Sequence, residues 1–354
     1  MTTYSIDELL IKALNLKCSD IHLTVGVPPM VRIDSQLGPL EGYEILRPED
    51  TERLALSIVN PRQEDELKTK GESDFSYAIA DVGRFRVNVY KQKGTYSVAL
   101  RALASKIPAM EDLGLPPVLK DLALRPRGLI LVTGPTGSGK STTLASMIDF
   151  INKNKRGHVL TLEDPIEYLH YHNNCIVNQR EMGEDSMSFA AALRAALRED
   201  PDVILVGEMR DLETISIAIS AAETGHLVLS TLHTVNAPQT VDRIIDMFPS
   251  EQQQQIKVQL ASVLQGVISQ QLLRKMGMPG RVAALEILLF TDAIRNVIRE
   301  GKTHQIPSMM QTAITQGMLT MDYSLAQLAK KKVISTQEAQ MHCVDPTMLK
   351  RYLL

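Results

Sequence analysis

The 354-residue chain has no tryptophan, only 4% aromatic residues and three cysteines. So few aromatic rings leave little with which to build a stacking surface for single-stranded nucleic acid. Cys18, Cys175 and Cys343 lie far apart in the chain. That spacing fits reduced thiols in a cytoplasm rather than a disulfide framework or a zinc site. No apolar run approaches the roughly 18 residues that span a bilayer, so no integral membrane segment is expected. Residues 1–10 show no basic stretch followed by an apolar one, and no secretory signal is expected. There is no excess of positive charge: the formal net charge is -3, which gives no sign of a nucleic-acid partner. What the chain does have is 44% apolar and 22% charged residues, enough for a packed core. Its length suggests two domains.

The two halves read differently. From about Asp20 to Leu103 the pattern is strand-like. Residues 84–90 alternate strictly, with Phe85, Val87 and Val89 on one face and Arg84, Arg86 and Asn88 on the other. Residues 95–101 alternate as well, with Arg101 on the face away from Tyr96, Val98 and Leu100. Residues 43–69 read as helical and charged, so this half is an α+β module. Pro108, Gly114, Pro116 and Pro117 mark residues 105–117 as a boundary. Beyond it, apolar runs of strand length recur at 129–132, 159–162, 203–206 and 227–232, separated by helical stretches. Strands buried on both faces and joined by helices predict a doubly wound, largely parallel α/β sheet. Residues from about 292 onward read as a helical bundle or cap, and Gln252–Gln255 reads as a polar helix face.

Gly134-Pro135-Thr136-Gly137-Ser138-Gly139-Lys140-Ser141 fits the phosphate-loop pattern, with two glycines, a lysine and a hydroxyl at the required spacing. A strand enters it and a helix beginning at Thr142 leaves it. The glycines let the backbone aim several N–H groups at phosphates, and the helix N-terminus adds positive partial charge. Lys140 is expected to reach the β- and γ-phosphates of ATP, Ser141 to ligate Mg²⁺, and Thr142 to complete the binding set.

Three strand ends add candidate chemistry. The run 202–206 ends in Gly207-Glu208, and in a parallel sheet the C-terminal strand ends face the ligand crevice. Glu208 is therefore expected beside the γ-phosphate, to orient or deprotonate the attacking water. Glu163, at the end of the run 159–162, is the candidate to hold Mg²⁺ or its water shell. Asp164 and Glu167 have either a similar role or a structural one around Pro165. His226 and His233 bracket a strand at an odd spacing, which sets them on opposite faces and argues against joint metal binding. His233 is placed to sense the γ-phosphate, whereas His226 reads as structural. On residues 188–199, Arg194 and Arg198 form either a solvated, salt-bridged face or a subunit boundary.

Together these segments resemble the retraction ATPases of type IV pili, within the wider secretion and pilus-assembly ATPases. The four boxes read GPTGSGKS (134–141), TLEDPIE (161–167), PDVILVGEMRD (201–211) and GHLVLSTLHT (225–234). Residues 19–35, 83–90, 177–181 and 268–275 are also similar, so the resemblance spans essentially the whole chain. It implies a PAS-like N-terminal domain over residues 1–112 and a RecA-like P-loop ATPase domain over 113–354. It also implies a ring-shaped homohexamer, with ATP bound between the two domains and the next subunit packed close. It assigns water activation to Glu208 and the acidic box to Glu163. Arginines of the N-terminal domain are implied to reach the nucleotide, where one would stabilise transition-state charge. Arg84, Arg86 and Arg101 are the candidates, and the sequence does not choose among them.

Residues 293–300, AIRNVIRE, resemble the retraction signature, with Val297 where leucine is usual. Ile294, Val297 and Ile298 form the inward stripe of a helix that Gly301 ends. Arg295, Asn296, Arg299 and Glu300 are expected to point outward toward a partner. The rival pilus-extension and type II secretion ATPases usually carry a paired-cysteine zinc module and a longer N-terminal region, and neither is expected here. A RecA-like nucleic-acid translocase is the rival from another class. The expectation is a cytoplasmic motor at the inner face of the cytoplasmic membrane that hydrolyses ATP to retract the pilus. Its partners would be an inner-membrane platform protein and a paralogous accessory ATPase, with no nucleic acid.

Overall fold

The computed structural model describes residues 4–34, 36–80, 82–103 and 106–354. Met1, Ser35 at the end of the family-like segment 19–35, and Ser105 at the start of the boundary segment lie outside the described residues. The chain forms two compact units, Met1–Lys106 with Pro165–Leu169, and Ile107–Asp164 with His170–Leu354. The short segment Pro165–Leu169 groups with the first unit. Within that unit the Arg84 guanidinium donates to the Ile166 carbonyl at 3.0 Å.

The first unit begins with α1 (Ile6–Asn15), β1 (Asp20–Leu23), β2 (Met30–Ile33) and β3 (Gln36–Pro39). It continues with α2 (Pro48–Leu56), α3 (Pro61–Thr69), β4 (Glu72–Ile79), β5 (Gly83–Gln92) and β6 (Thr95–Ala102). Proline opens both α2 and α3, where its missing N–H costs no helical bond. Reciprocal bonds between Ser5 and Glu8 cap α1, and those between Asn60 and Gln63 cap α3. The sheet order is β3-β2-β1-β6-β5-β4, and every pairing is antiparallel. One face is the core: Phe85, Val87 and Val89 are fully buried and pack with Leu9 and Leu10 of α1 and Leu54 of α2. Arg86 of β5 stands opposite Arg101 of β6, which stands opposite Asp20 of β1.

The second unit runs α4 (Val118–Ala123), β7 (Gly128–Thr133), α5 (Lys140–Asn154), β8 (Gly157–Glu163) and β9 (Cys175–Glu181). Next come α6 (Phe189–Ala196), β10 (Val203–Val206), α7 (Leu212–Glu223), β11 (Leu227–Leu232), α8 (Ala237–Asp246) and α9 (Ser250–Val263). A hairpin of β12 (Leu264–Arg274) and β13 (Arg281–Leu289) precedes the helices α10 (Asp292–Arg299) and α11 (Ile306–Thr312). The chain closes with α12 (Met321–Lys330), α13 (Thr336–His342) and α14 (Pro346–Leu353). The sheet order is β13-β12-β7-β11-β10-β8-β9, parallel throughout except where β13 turns back on β12.

Every residue of β7, β10 and β11 is buried. Leu129 and Leu131 enter the core on one face of the sheet, while Ile130 and Val132 enter the core on the other. A strand covered on both sides has no solvated position, which is why its sequence is continuously apolar. Deep in this unit Glu286 of β13 is buried and accepts the Ala237 backbone N–H, at the start of α8, at 2.7 Å. Burial pushes its carboxyl up to about 7, against the lowering effect of hydrogen bonds from the Ala237 and Met321 backbones. Among the described residues no helix is long and apolar enough to cross a membrane.

Candidate nucleotide site

The phosphate loop leaves β7 at Gly134 and enters α5 at Lys140. Two of its glycines have no substitute. Gly134 has a φ of 141°, and a Cβ there would lie 2.3 Å from the Gln270 carbonyl oxygen. Gly139, with φ at 88°, is the residue before the first turn of α5, and a Cβ there would lie 2.8 Å from Gln270 Nε2. Only glycine combines a positive φ with so close an approach. No side chain caps the first turn of α5 and no acidic residue sits in it. Its N–H groups and partial positive charge are thus directed to an anion. Lys140 Nζ donates to the carbonyls of Gly134 at 2.8 Å and Pro135 at 3.1 Å. This fixes the ammonium inside the loop. Ser138 Oγ is buried with no hydrogen-bond partner among the described residues. A buried, unpartnered hydroxyl in a glycine loop at a helix start fits a phosphate ligand. Ser141 and Thr142 follow on α5, half-buried. A cavity of about 350 Å³ opens beside Gly139 and Thr142, with Leu113, Leu272 and Val282 as apolar walls, Lys275 and Arg281 as cationic ones and Glu111 and Asp112 as acidic ones.

The sheet order sets the remaining groups along one edge. Thr133, just before the loop, pairs with Leu232, just before His233. Ser230 of β11 pairs with Val206, two residues before Glu208, and Val206 pairs with Leu162, next to Glu163. Reading across β7, β11, β10 and β8, the edge therefore presents the phosphate loop, His233, Glu208 and Glu163 in turn. Hydrogen bonds lock these strand ends together. Thr231 Oγ1 donates to the Gly207 carbonyl at 2.6 Å, and the Gly207 N–H donates to the Leu162 carbonyl at 2.8 Å.

Glu208 is brought against His233, with 3.1 Å from Oε1 to His233 Nε2, and against Arg210, with 2.8 Å from Oε2 to the guanidinium. Partial burial pushes the Glu208 carboxyl up, but the hydrogen bonds and charges of Arg210 and His233 outweigh it and hold the group below the usual carboxylate range. Glu208 is thus ionised at neutral pH. Glu163 accepts from Thr161 Oγ1 at 2.7 Å and from Gln179 Nε2 at 3.1 Å through one oxygen. The Glu163 carboxylate and the Ser141 hydroxyl are hard oxygen donors of the kind Mg²⁺ takes.

His226 and Arg194 of the second unit make bonds of their own. The ring Nδ1 of His226 lies 2.9 Å from the Ala221 carbonyl at the end of α7, a structural bond. Arg194 pairs with Glu213 of α7. Within the first unit, Arg84 is held by Ser76 Oγ at 2.9 Å as well as by Ile166. Arg101 is held by Asp20 at 3.1 Å. Arg86 is exposed, and no described side chain bonds its guanidinium.

One expectation is corrected. Arg295 does not point outward: it is half-buried and donates to the carbonyls of Ala261 and, at 3.0 Å, Ser262. The cause is local, because those carbonyls end α9 and have no intrahelical partner, and a cation there satisfies both bond and dipole. Asn296, Arg299 and Glu300 remain exposed. Arg210, Gln179 and Gln270 were missed by sequence reading. Arg210 follows Glu208 by two residues in a polar turn, a weak local signal. Gln179 and Gln270 lie in the family-like segments 177–181 and 268–275, but no local pattern gives either one a role.

A parallel sheet with a glycine loop and acidic strand ends along one edge defines a protein with the architecture of the secretion ATPases. The profile of the "Type II/IV secretion system protein" family matches residues 3–340, and the chain belongs to that family. It is 48% identical over 340 residues to the Type IV pilus retractation ATPase PilT of Pseudomonas aeruginosa, covering 95% of this chain and 97% of that protein. It is 41% identical over 324 residues to the Type IV pilus ATPase PilU of the same organism, covering 92% and 85%. A crystal structure of the pilus retraction motor PilT with bound ADP superposes with a TM-score of 0.93 at 52% identity, covering 98% and 99% of the two chains.

Proposed function

We propose that this chain is a hexameric P-loop ATPase that retracts type IV pili, with a RecA-like motor domain and a PAS-like N-terminal domain. The observation that carries the reading is the order of groups along one sheet edge: phosphate loop, His233, Glu208, Glu163. In this reading the N–H groups of residues 134–142 and the Lys140 ammonium bind the ATP phosphates. The cavity beside Gly139 takes the base and ribose. Ser141 and Glu163 would hold Mg²⁺, which would supply charge neutralisation for the phosphates. Glu208 takes a proton from the attacking water, His233 reports on the γ-phosphate through its bond to Glu208, and Arg210 keeps Glu208 ionised. An N-terminal arginine stabilises the charge that develops in the transition state. Arg86 is the best candidate, because Arg84 and Arg101 are committed to bonds within their own unit, to Ser76, Ile166 and Asp20.

The identity to the pilus retractation ATPase supports retraction as the use of turnover. The exposed Asn296 and Arg299 of α10, with Glu300 just after it, are the surface proposed to meet the platform protein at the cytoplasmic membrane. The decisive experiment is deletion in the host, with pili counted and surface motility scored. Excess, immobile pili are expected. Loss of pili would make the chain an extension motor, and unchanged pili and motility would remove it from pilus function.

A further inference from the structure

One neutral side chain outside the loop braces it. Gln270 of β12 is 3% exposed. Its Nε2 donates to the Ser138 carbonyl at 2.7 Å, and its Oε1 accepts from Thr143 Oγ1 at 2.8 Å. Its own main-chain carbonyl forms the wall that keeps residue 134 a glycine, and its Nε2 forms the wall at Gly139. A single residue therefore touches the loop at Gly134, Ser138 and Gly139, and touches the first turn of α5 at Thr143. At the preceding position Ser269 Oγ lies 2.8 Å from Thr133 Oγ1, so β12 is bonded to the end of β7 as well.

The chemistry explains the residue type. Ser138 offers a buried carbonyl and Thr143 a buried hydroxyl, and one primary amide supplies the matching donor and acceptor. A carboxylate would set a second negative oxygen against the Ser138 carbonyl. An apolar side chain would leave both partners unpaired in the interior. The amide carries no charge, so it shapes the loop without competing for the phosphates.

We propose that Gln270 is a positioning residue, which holds the phosphate loop in its nucleotide-binding shape by locking it and the first turn of α5 to β12. This rests on reading the loop as the ATP site. A residue that shapes the loop equally before and during reaction affects uniform binding, so KM should move while kcat does not.

The test uses full-length hexamers of Gln270→Met, which keeps length and volume but has no hydrogen-bonding groups. ADP affinity, measured without turnover, should fall about tenfold. The KM for ATP should rise by a similar factor with kcat within about twofold of wild type. Thr143→Val should weaken ADP binding in the wild-type background and add nothing on top of Gln270→Met. ADP affinity within twofold of wild type, or a fall in kcat at unchanged KM, overturns the proposal. If Gln270→Met does not form hexamers, Thr143→Val, which removes one of the two bonds and adds no charge, is read by the same two readouts, and they decide. Wild-type protein that fails to bind ADP overturns the reading of the loop, and the role of Gln270 with it.

Discussion

In the six-stranded sheet, neighbouring residues of β5 meet opposite environments: Phe85 and Val87 are fully buried, while Arg86 between them is exposed. In the seven-stranded sheet, all six residues of β7 are buried, and alternate ones enter separate cores. An antiparallel sheet with one covered face can display a functional side chain anywhere along a strand. A parallel sheet covered on both faces can display one only where the strand ends. The candidate groups follow this division, with arginines on the face of the first sheet and with Lys140, His233, Glu208 and Glu163 at the ends of the second.

Two substitutions are expected to have the largest effects. Glu208→Ala should lower turnover about a thousandfold while ADP still binds. Near-normal turnover would break the assignment of chemistry to the strand ends. Arg86→Ala should lower turnover by a similar ~10³ in assembled hexamers, with an unchanged melting temperature. Arg84→Ala should instead lower the melting temperature, since it loses bonds to Ser76 and Ile166. If Arg84→Ala is the one that stops turnover, the exposed face has been assigned to the wrong residue.

The next largest effects concern the cores. Leu131→Ala, inside the doubly covered sheet, should cost about 2–5 kcal/mol in denaturant unfolding. Arg86→Ala should stay within roughly 0.5 kcal/mol, as exposed positions do. Equal losses would deny the difference between the sheets. Arg295→Ala should cost about 1–3 kcal/mol, because it strands two helix-end carbonyls. Arg299→Ala should leave stability unchanged and impair retraction in cells. A retraction defect from Arg295→Ala would therefore need a stability control before it counted as loss of a partner contact.

The smallest effect is a pH slope. Glu286 has its carboxyl raised from 4.5 to about 7 in the fold. Folding favours its protonated form, so its contribution is complete below pH 4.5 and is lost as pH rises through about 7. Melting temperatures of the wild type should fall between about pH 5 and pH 8 relative to Glu286→Gln, which lacks this titration. Parallel curves for the two proteins would place Glu286 in a more polar setting than its burial indicates.

Much of the site was legible because its parts are local. A glycine loop between an apolar strand and a helix, and an acid just past an apolar run, are patterns within ten or so residues of chain. The helices at 48–56 and 61–69 were legible as a charged helical stretch, with a proline at each start. By contrast, β9 and the β12–β13 hairpin went unassigned, since their residues are mixed in polarity. Arg295 was read outward because helical spacing separates faces but does not say what packs on each. There the end of α9 supplies carbonyls from more than thirty residues away.

The sequence by itself determined the phosphate loop, the acids and histidine that follow its strands, and the contrast between an alternating sheet and a continuously apolar one. All of these depend on short-range geometry and on which side chains water tolerates. Only the tertiary structure decided that β12 lies beside β7, so that Gln270 reaches Ser138 and Thr143. It also decided that His233 and Arg210 flank Glu208, and that, of the three arginines, Arg86 is the one whose guanidinium no described side chain bonds. Those facts depend on strand order and on pairings between distant residues. A linear pattern does not encode these, because the hydrogen bonds that select them form only once the chain has packed.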